Sequence, residues 1–132
     1  MGTTATALAI LGDRAHVGHV GDSRLYLIHD GEGSQVTRDH ELRNGALLNC
    51  LGSSTGAHVE TEVHEFDLRP GDALVLCTDG LGDCAGAATV ASLVGAAVRR
   101  SNTAQSVADT LVEHALVSGG RDNVTVVVVS VR

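Results

Sequence analysis

Aromatic side chains are almost missing from this 132-residue chain: Tyr26 and Phe66 are the only two, and there is no tryptophan. Bases would have nearly nothing to stack on, and a formal net charge of -7 repels phosphate backbones instead of gathering them. Nucleic acid is therefore excluded as a partner. No segment approaches the roughly 20 uninterrupted apolar residues that a membrane helix needs, and no basic stretch followed by an apolar run and a cleavage site opens the chain. A cytoplasmic protein with no membrane partner is expected. The cysteines Cys50, Cys77 and Cys84 are odd in number and lack CxxC spacing, which argues against zinc or redox chemistry and for small, buried, reduced thiols.

What is present fits one domain over residues 1–132, large enough to bury a sizeable core and too short for two. Thr3 to Leu11, Ala15 to Val20, Leu25 to Ile28 and Gln35 to Thr37 are rich in Val, Ile, Leu and Thr. Gly12-Asp13, Gly21-Asp22-Ser23 and Asp30-Gly31-Glu32-Gly33 separate them, as in a meander of antiparallel hairpins. Between Asp39 and Gly56 the two-residue period is lost. A turn at Arg43-Asn44-Gly45, a short helical piece around Ala46 to Leu51 and a loop at Gly52-Ser53-Ser54 are expected there. His58 to Phe66 alternates with one polar side, the pattern of an edge strand or a strand with one wet face. Pro70-Gly71-Asp72 reads as a turn, and Ala73 to Cys77 as a strand covered on both faces.

Val90, Leu93, Val94, Ala97 and Val98 recur at helical spacing, with Arg99 and Arg100 where a helix C-terminus favours cations. Val107, Leu111, Val112, Ala115 and Leu116 recur in the same way, with Asn102 and Gln105 as a capping box and Gly119-Gly120 as the stop. The short connection between the two predicts an antiparallel helical hairpin on one side of a sheet. Val124 to Val131 is apolar at nearly every position, so both of its faces should be buried. One sheet with one helical layer would hide only one face. A second sheet is therefore expected, giving an α+β layered sandwich with helices outside.

Three aspartates sit in turns beside apolar strands: Asp22 in Gly21-Asp22-Ser23-Arg24, Asp79 in Thr78-Asp79-Gly80 and Asp122 in Arg121-Asp122-Asn123. Gly-Asp-Ser and Asp-Gly also make turns without any function. The continuation Asp79-Gly80-Leu81-Gly82-Asp83 places a further carboxylate four residues on, with two glycines between, and hard divalent cations want oxygen ligands converging from separate segments. Asp122 stands before an apolar strand, and strand ends held by a core are rigid mounts for ligands.

Gly2-Thr3-Thr4-Ala5, Gly18-His19-Val20-Gly21-Asp22-Ser23-Arg24-Leu25-Tyr26, Thr37-Arg38-Asp39-His40, Leu51-Gly52, Gly71-Asp72, Leu76-Cys77-Thr78-Asp79-Gly80-Leu81 and Asp122-Asn123-Val124-Thr125 resemble, in sequence and order, the C-terminal motifs of the PPM family. These are the type 2C, Mg2+- or Mn2+-dependent serine/threonine protein phosphatases. The resemblance spans the chain. It implies two antiparallel β-sheets packed face to face and flanked by helical hairpins, and a binuclear metal centre that activates water against a phosphomonoester of a phosphoprotein. Asp79 and Asp122 match ligands of that centre, with Gly80 in the same binding segment. Asp22 and Asp83 match aspartates that hold a third, weaker metal.

The family's first motifs, a phosphate-gripping arginine and an Asp-Gly-x-Gly-Gly segment, have no counterpart in these residues. Roughly a hundred residues of an ordinary domain are unaccounted for on the N-terminal side. No catalytic residue beyond the metal ligands is assigned, and negligible activity is expected of the chain alone. The alternatives are a non-catalytic, phosphatase-like binding module and a half-domain completed in trans or by self-association. The helical flap that follows Asp39-His40 in many relatives looks shortened. His16, His19, His29, His40, His58, His64 and His114 are expected in surface or satisfied-core roles, and Arg24 in a salt bridge within the fold.

Overall fold

The computed structural model describes residues 2–42, 46–52, 59–100, 103–119 and 122–132. The expected Arg43-Asn44-Gly45 turn, Ser53 and Ser54 of the expected Gly52-Ser53-Ser54 loop, and Asn102 of the capping box fall outside them. The strands are β1 (Ala5–Leu11), β2 (Arg14–Val20), β3 (Arg24–His29) and the polar β4 (Glu32–Gln35), followed by β5 (Glu62–Asp67) and β6 (Ala73–Cys77). Then come α1 (Asp79–Gly82), α2 (Ala87–Arg100), α3 (Ala104–Val117) and β7 (Val126–Ser130). The strands form two antiparallel sheets of order β1-β2-β5 and β4-β3-β6-β7.

The period of two along each strand sorts its side chains between two cores. Leu25 of β3 and Leu74 of β6 meet Ala15 and Val17 of β2 between the sheets, with Leu27 and Leu76 packed against that cluster. Tyr26, Ile28, Ala73, Val75 and Cys77, pointing the other way, meet Val90, Val94, Val107 and Leu111 of the helical pair. The layers are sheet, sheet and helices. Thr103 caps α3 by accepting a hydrogen bond from the Ser106 N–H at 3.2 Å. No helix among the described residues is long and apolar enough to cross a membrane.

Several expectations need correction, beginning with the strand expected at Gln35 to Thr37, which runs Glu32–Gln35 because Glu32 and Gly33 already pair with β3. Next, the meander breaks after β2: β2 and β3 lie in different sheets, so Gly21-Asp22-Ser23 is a crossover and not a hairpin turn. Nor does Ala46 to Leu51 form a helix. Its backbone groups find distant partners, with Leu48 N–H donating to His40 O at 2.8 Å and Leu51 exchanging hydrogen bonds with Thr3. β7 is an edge strand with unequal cover: Val126 and Val128 pack against the helical core and Val129 against the inter-sheet core, but Val127 is exposed. Finally, Asp79-Gly80 is not a bare turn but opens the single helical turn α1. In the edge strand β5 the polar side, Glu62 and His64, turns inward while Val63 stands 67% exposed.

Candidate metal centre

Of the four expected ligands, Asp79 and Asp83 stand at the two ends of the one-turn helix α1, and Asp22 and Asp122 lie in segments between elements. Asp79 is the first residue of α1, directly below β6, and its Oδ1 accepts from the Gly80 N–H at 2.9 Å. Asp83 caps the same short helix and is largely exposed. Asp122 precedes β7, and its Oδ1 accepts from the Asn123 N–H at 2.7 Å. Asp22 sits half-buried in the crossover between the sheets.

The segments carrying Asp79 and Asp122 are locked together by Thr78. Its hydroxyl donates to Asn123 O at 3.2 Å and accepts from Thr125 N–H at 3.0 Å, while its N–H donates to Thr125 O at 3.1 Å. Gly80 makes the approach possible, because a Cβ there would lie 2.4 Å from Asn123 O. Its contribution is closeness of backbone.

Burial, and next the charge of Asp22, raise the Asp79 carboxyl above its ordinary 3.8; Asp122 and Asp83 add to the rise, and the Gly80 N–H opposes it. The charges of Asp22, Asp122 and Asp83 thus all bear on the Asp79 carboxyl. The four carboxylates are not drawn into a tight knot: among the described residues, the three-ligand group with atoms within 4.8 Å of one another is His19, His40 and Glu62. An oxygen-only set of carboxylates is the donor chemistry that suits a hard divalent cation.

Arg24 ties Asp39 to the end of α1. Its Nε donates to Asp39 Oδ1 at 3.0 Å and Oδ2 at 2.9 Å, its Nη2 to Oδ2 at 2.5 Å, and its Nη1 to Gly82 O at the end of α1. Its Nη2 lies 3.8 Å from Asp83. The expected internal salt bridge is thus present, and the pairing with Asp39 holds Arg24 charged well above its ordinary value.

The sequence reading did not single out Glu62. It stands beside His40, with Nε2 to Oε2 at 3.2 Å, and also receives His64 and the Arg38 N–H. Burial pushes the Glu62 carboxyl up, but the hydrogen bonds from His64, Arg38 and His40 outweigh it and leave it below 4.5. The only signal was the polar side of the β5 alternation, which the pattern alone assigns to water and which turns inward instead.

The family model described as stage II sporulation protein E (SpoIIE) matches residues 3–132. The serine/threonine protein phosphatase PstP of Mycobacterium tuberculosis is 37% identical over 149 residues, which take in 99% of this chain and 28% of that protein. A serine/threonine phosphatase of S. agalactiae superposes with a TM-score of 0.87 at 29% identity, over 98% of this chain and 59% of its own. The catalytic domain of PstP in complex with two manganese ions does so with a TM-score of 0.81 at 35% identity, over 97% and 58%. The chain thus spans about a quarter of its curated mycobacterial relative and about three fifths of the solved structures. With the fold, the order of its motifs and these matches in agreement, the chain belongs to the PPM-type family of metal-dependent serine/threonine protein phosphatases.

Proposed function

We propose that this chain is the C-terminal, metal-holding portion of a Mg2+- or Mn2+-dependent phosphatase that hydrolyses phosphoserine and phosphothreonine in proteins. The observation that carries the reading is that Thr78 and Gly80 hold the Asp79 and Asp122 segments together, with the charges of Asp22, Asp122 and Asp83 bearing on the Asp79 carboxyl. The manganese-bound relative supports it. Asp79 and Asp122 would hold the principal cations, and Asp22 and Asp83 a weaker additional one. Bound cations supply a water nucleophile near neutral pH and neutralise phosphoryl oxygens. The chain's own residues orient and insulate: the Gly80 N–H pins one Asp79 oxygen, Thr78 fixes the Asp122 segment, and Arg24 holds α1 in place.

These residues make one side of the site, so the chain alone is not expected to turn over substrate. Hydrolysis of p-nitrophenyl phosphate with Mn2+, compared with Asp79→Asn, tests this together with calorimetric Mn2+ titration. Expected is Mn2+ binding that Asp79→Asn weakens, without turnover. Turnover that needs both metal and Asp79 would sink the claim of incompleteness. Failure of the folded chain to bind Mn2+ would favour a non-catalytic binding module instead.

A second reading, completion in trans or self-association, draws on the exposed Leu11, Val63 and Val127 at or near free sheet edges. A monodisperse monomer by size-exclusion chromatography would count against it. The thiols of Cys50, Cys77 and Cys84 are free, which supports a cytoplasmic location.

A further inference from the structure

Two imidazoles and a carboxylate meet beside the crossover that carries Asp22, and their hydrogen bonds determine where each proton sits. His19 is fully buried on β2. Its Nε2 faces Gly21 O at 3.0 Å and Arg38 O at 3.1 Å. Carbonyls only accept, so Nε2 carries the hydrogen. Burial, and then the neighbouring His40, lower the His19 pKa and keep the ring neutral. Nδ1 therefore accepts from the Thr6 hydroxyl at 2.9 Å.

His40 is settled by the same logic. The Gly21 N–H donates to its Nδ1 at 3.2 Å, so the ring hydrogen is on Nε2 and points to Glu62 Oε2 at 3.2 Å. The two rings lie 5.0 Å apart.

His19, His40 and Glu62 are close enough to hold a transition metal, and two imidazoles with a carboxylate are a zinc donor set. The proton placement argues against that use. His19 has no free lone pair, because Nε2 is protonated and Nδ1 is engaged by Thr6. What the cluster does hold is Gly21. Its N–H goes to His40, and its carbonyl receives both His19 Nε2 and the His40 N–H, the latter at 2.7 Å. Gly21 has φ +114°, and a Cβ there would lie 2.4 Å from the Thr4 side chain. A residue so placed can move only if these bonds break, and the next residue is Asp22.

We propose that His40 is a positioning residue: braced by Glu62 and seated against His19, it fixes the Gly21 peptide and thereby aims the Asp22 carboxylate at the cation site. The proposal rests on the reading of Asp22 as a cation ligand. It assigns Glu62, on the far edge strand, to the support of a ligand in the crossover. Partners of this kind, one step removed from a metal, typically change its affinity about 10- to 100-fold.

The test is Mn2+ binding to the chain, counted by electron paramagnetic resonance and calorimetry, with folding checked by thermal melting. In His40→Asn the side-chain Oδ1 takes the place of Nδ1 and can still accept from the Gly21 N–H. His40→Gln and His40→Ala cannot reach it in the same way. Expected is near-normal affinity in His40→Asn and a loss of about tenfold or more in His40→Gln and His40→Ala for the Mn2+ class that Asp22→Asn also weakens. Adding His40→Ala to Asp22→Asn should bring little further loss, whereas a merely structural role would cost the same in both backgrounds.

Equal affinities in the Asn and Gln variants, or full additivity with Asp22→Asn, overturn the assignment. Should His40→Ala fail to fold, the Asn and Gln pair decides alone. If Asp22→Asn leaves Mn2+ binding untouched, the reading of Asp22 as a ligand falls and this proposal falls with it. Stoichiometric Zn2+ binding abolished by His19→Ala would show the cluster to be a metal site in its own right and overturn the proton placement.

Discussion

The two sheets are built from the same strand chemistry but are used differently. The sheet β4-β3-β6-β7 has a core on each face, one shared with its partner sheet and one with α2 and α3. The sheet β1-β2-β5 has a core on one face only; its other side leaves Ala7, Ala9 and Val63 exposed. Stability is concentrated in the first. The second contributes polar networks, with Thr6, His19 and Glu62 supporting the Asp22 crossover. One layer carries the fold, and the other adjusts the site against it.

The largest effect should come from the boundary they share. Leu74→Ala empties a fully buried position between the sheets and should cost about 2–5 kcal/mol in urea denaturation. A loss below 1 kcal/mol would mean that the sheets are not packed as described. Arg24→Ala leaves the largely buried Asp39 short of its two-pronged donor, with an expected cost of about 1.5–3 kcal/mol. Arg24→Lys should not restore it, because an ammonium cannot reproduce the fork.

Gly80→Ala forces the Asn123 backbone away and should cost about 1–3 kcal/mol. It should also weaken Mn2+ binding. Thermal melts with and without Mn2+ separate the two effects, since a ligand stabilises only the state that binds it.

The pH dependence sharpens the comparison further. The folded His19 pKa lies below the ordinary 6.5, so the unfolded chain takes up that proton first. Its contribution is present above pH 6.5 and is lost as the pH falls below that value. Glu62, also lowered, adds a further loss below about its ordinary 4.5. Asp79 runs the other way: its raised carboxyl makes its contribution greatest in acid, lost as the pH rises through the folded value. His19→Gln should flatten the melting temperature between pH 7 and 5, and an unchanged slope would remove His19 as the source. The smallest effects belong to the bare face. Leu11→Ala and Arg14→Ala should each shift stability by less than about 0.5 kcal/mol, although Arg14 contacts Glu65 at 3.1 Å.

Periodic elements were legible in the sequence because their partners are implied by their own pattern. The continuous apolar run at Ala73 to Cys77 and the helical spacings from Val90 and Val107 needed no knowledge of the rest of the chain. Ala46 to Leu51 failed because its hydrogen bonds go to His40 and Thr3, which no local pattern reports. β7 failed for a related reason: an apolar strand does not show whether a neighbour lies beyond it. The four aspartates were singled out by the order of their motifs, whereas the meeting of His19, His40 and Glu62 is a product of folding alone. Their separation along the chain hid it.

Asp22 belongs to the link between the sheets, while Asp79 and Asp122 are mounted on one of them. Their separation therefore depends on the thickness of the apolar layer from Val17 to Leu74. A buried methyl group far from any carboxylate can thus act as a spacer for the site. Repacking that layer should retune the gap between these carboxylates even when every polar residue is left in place.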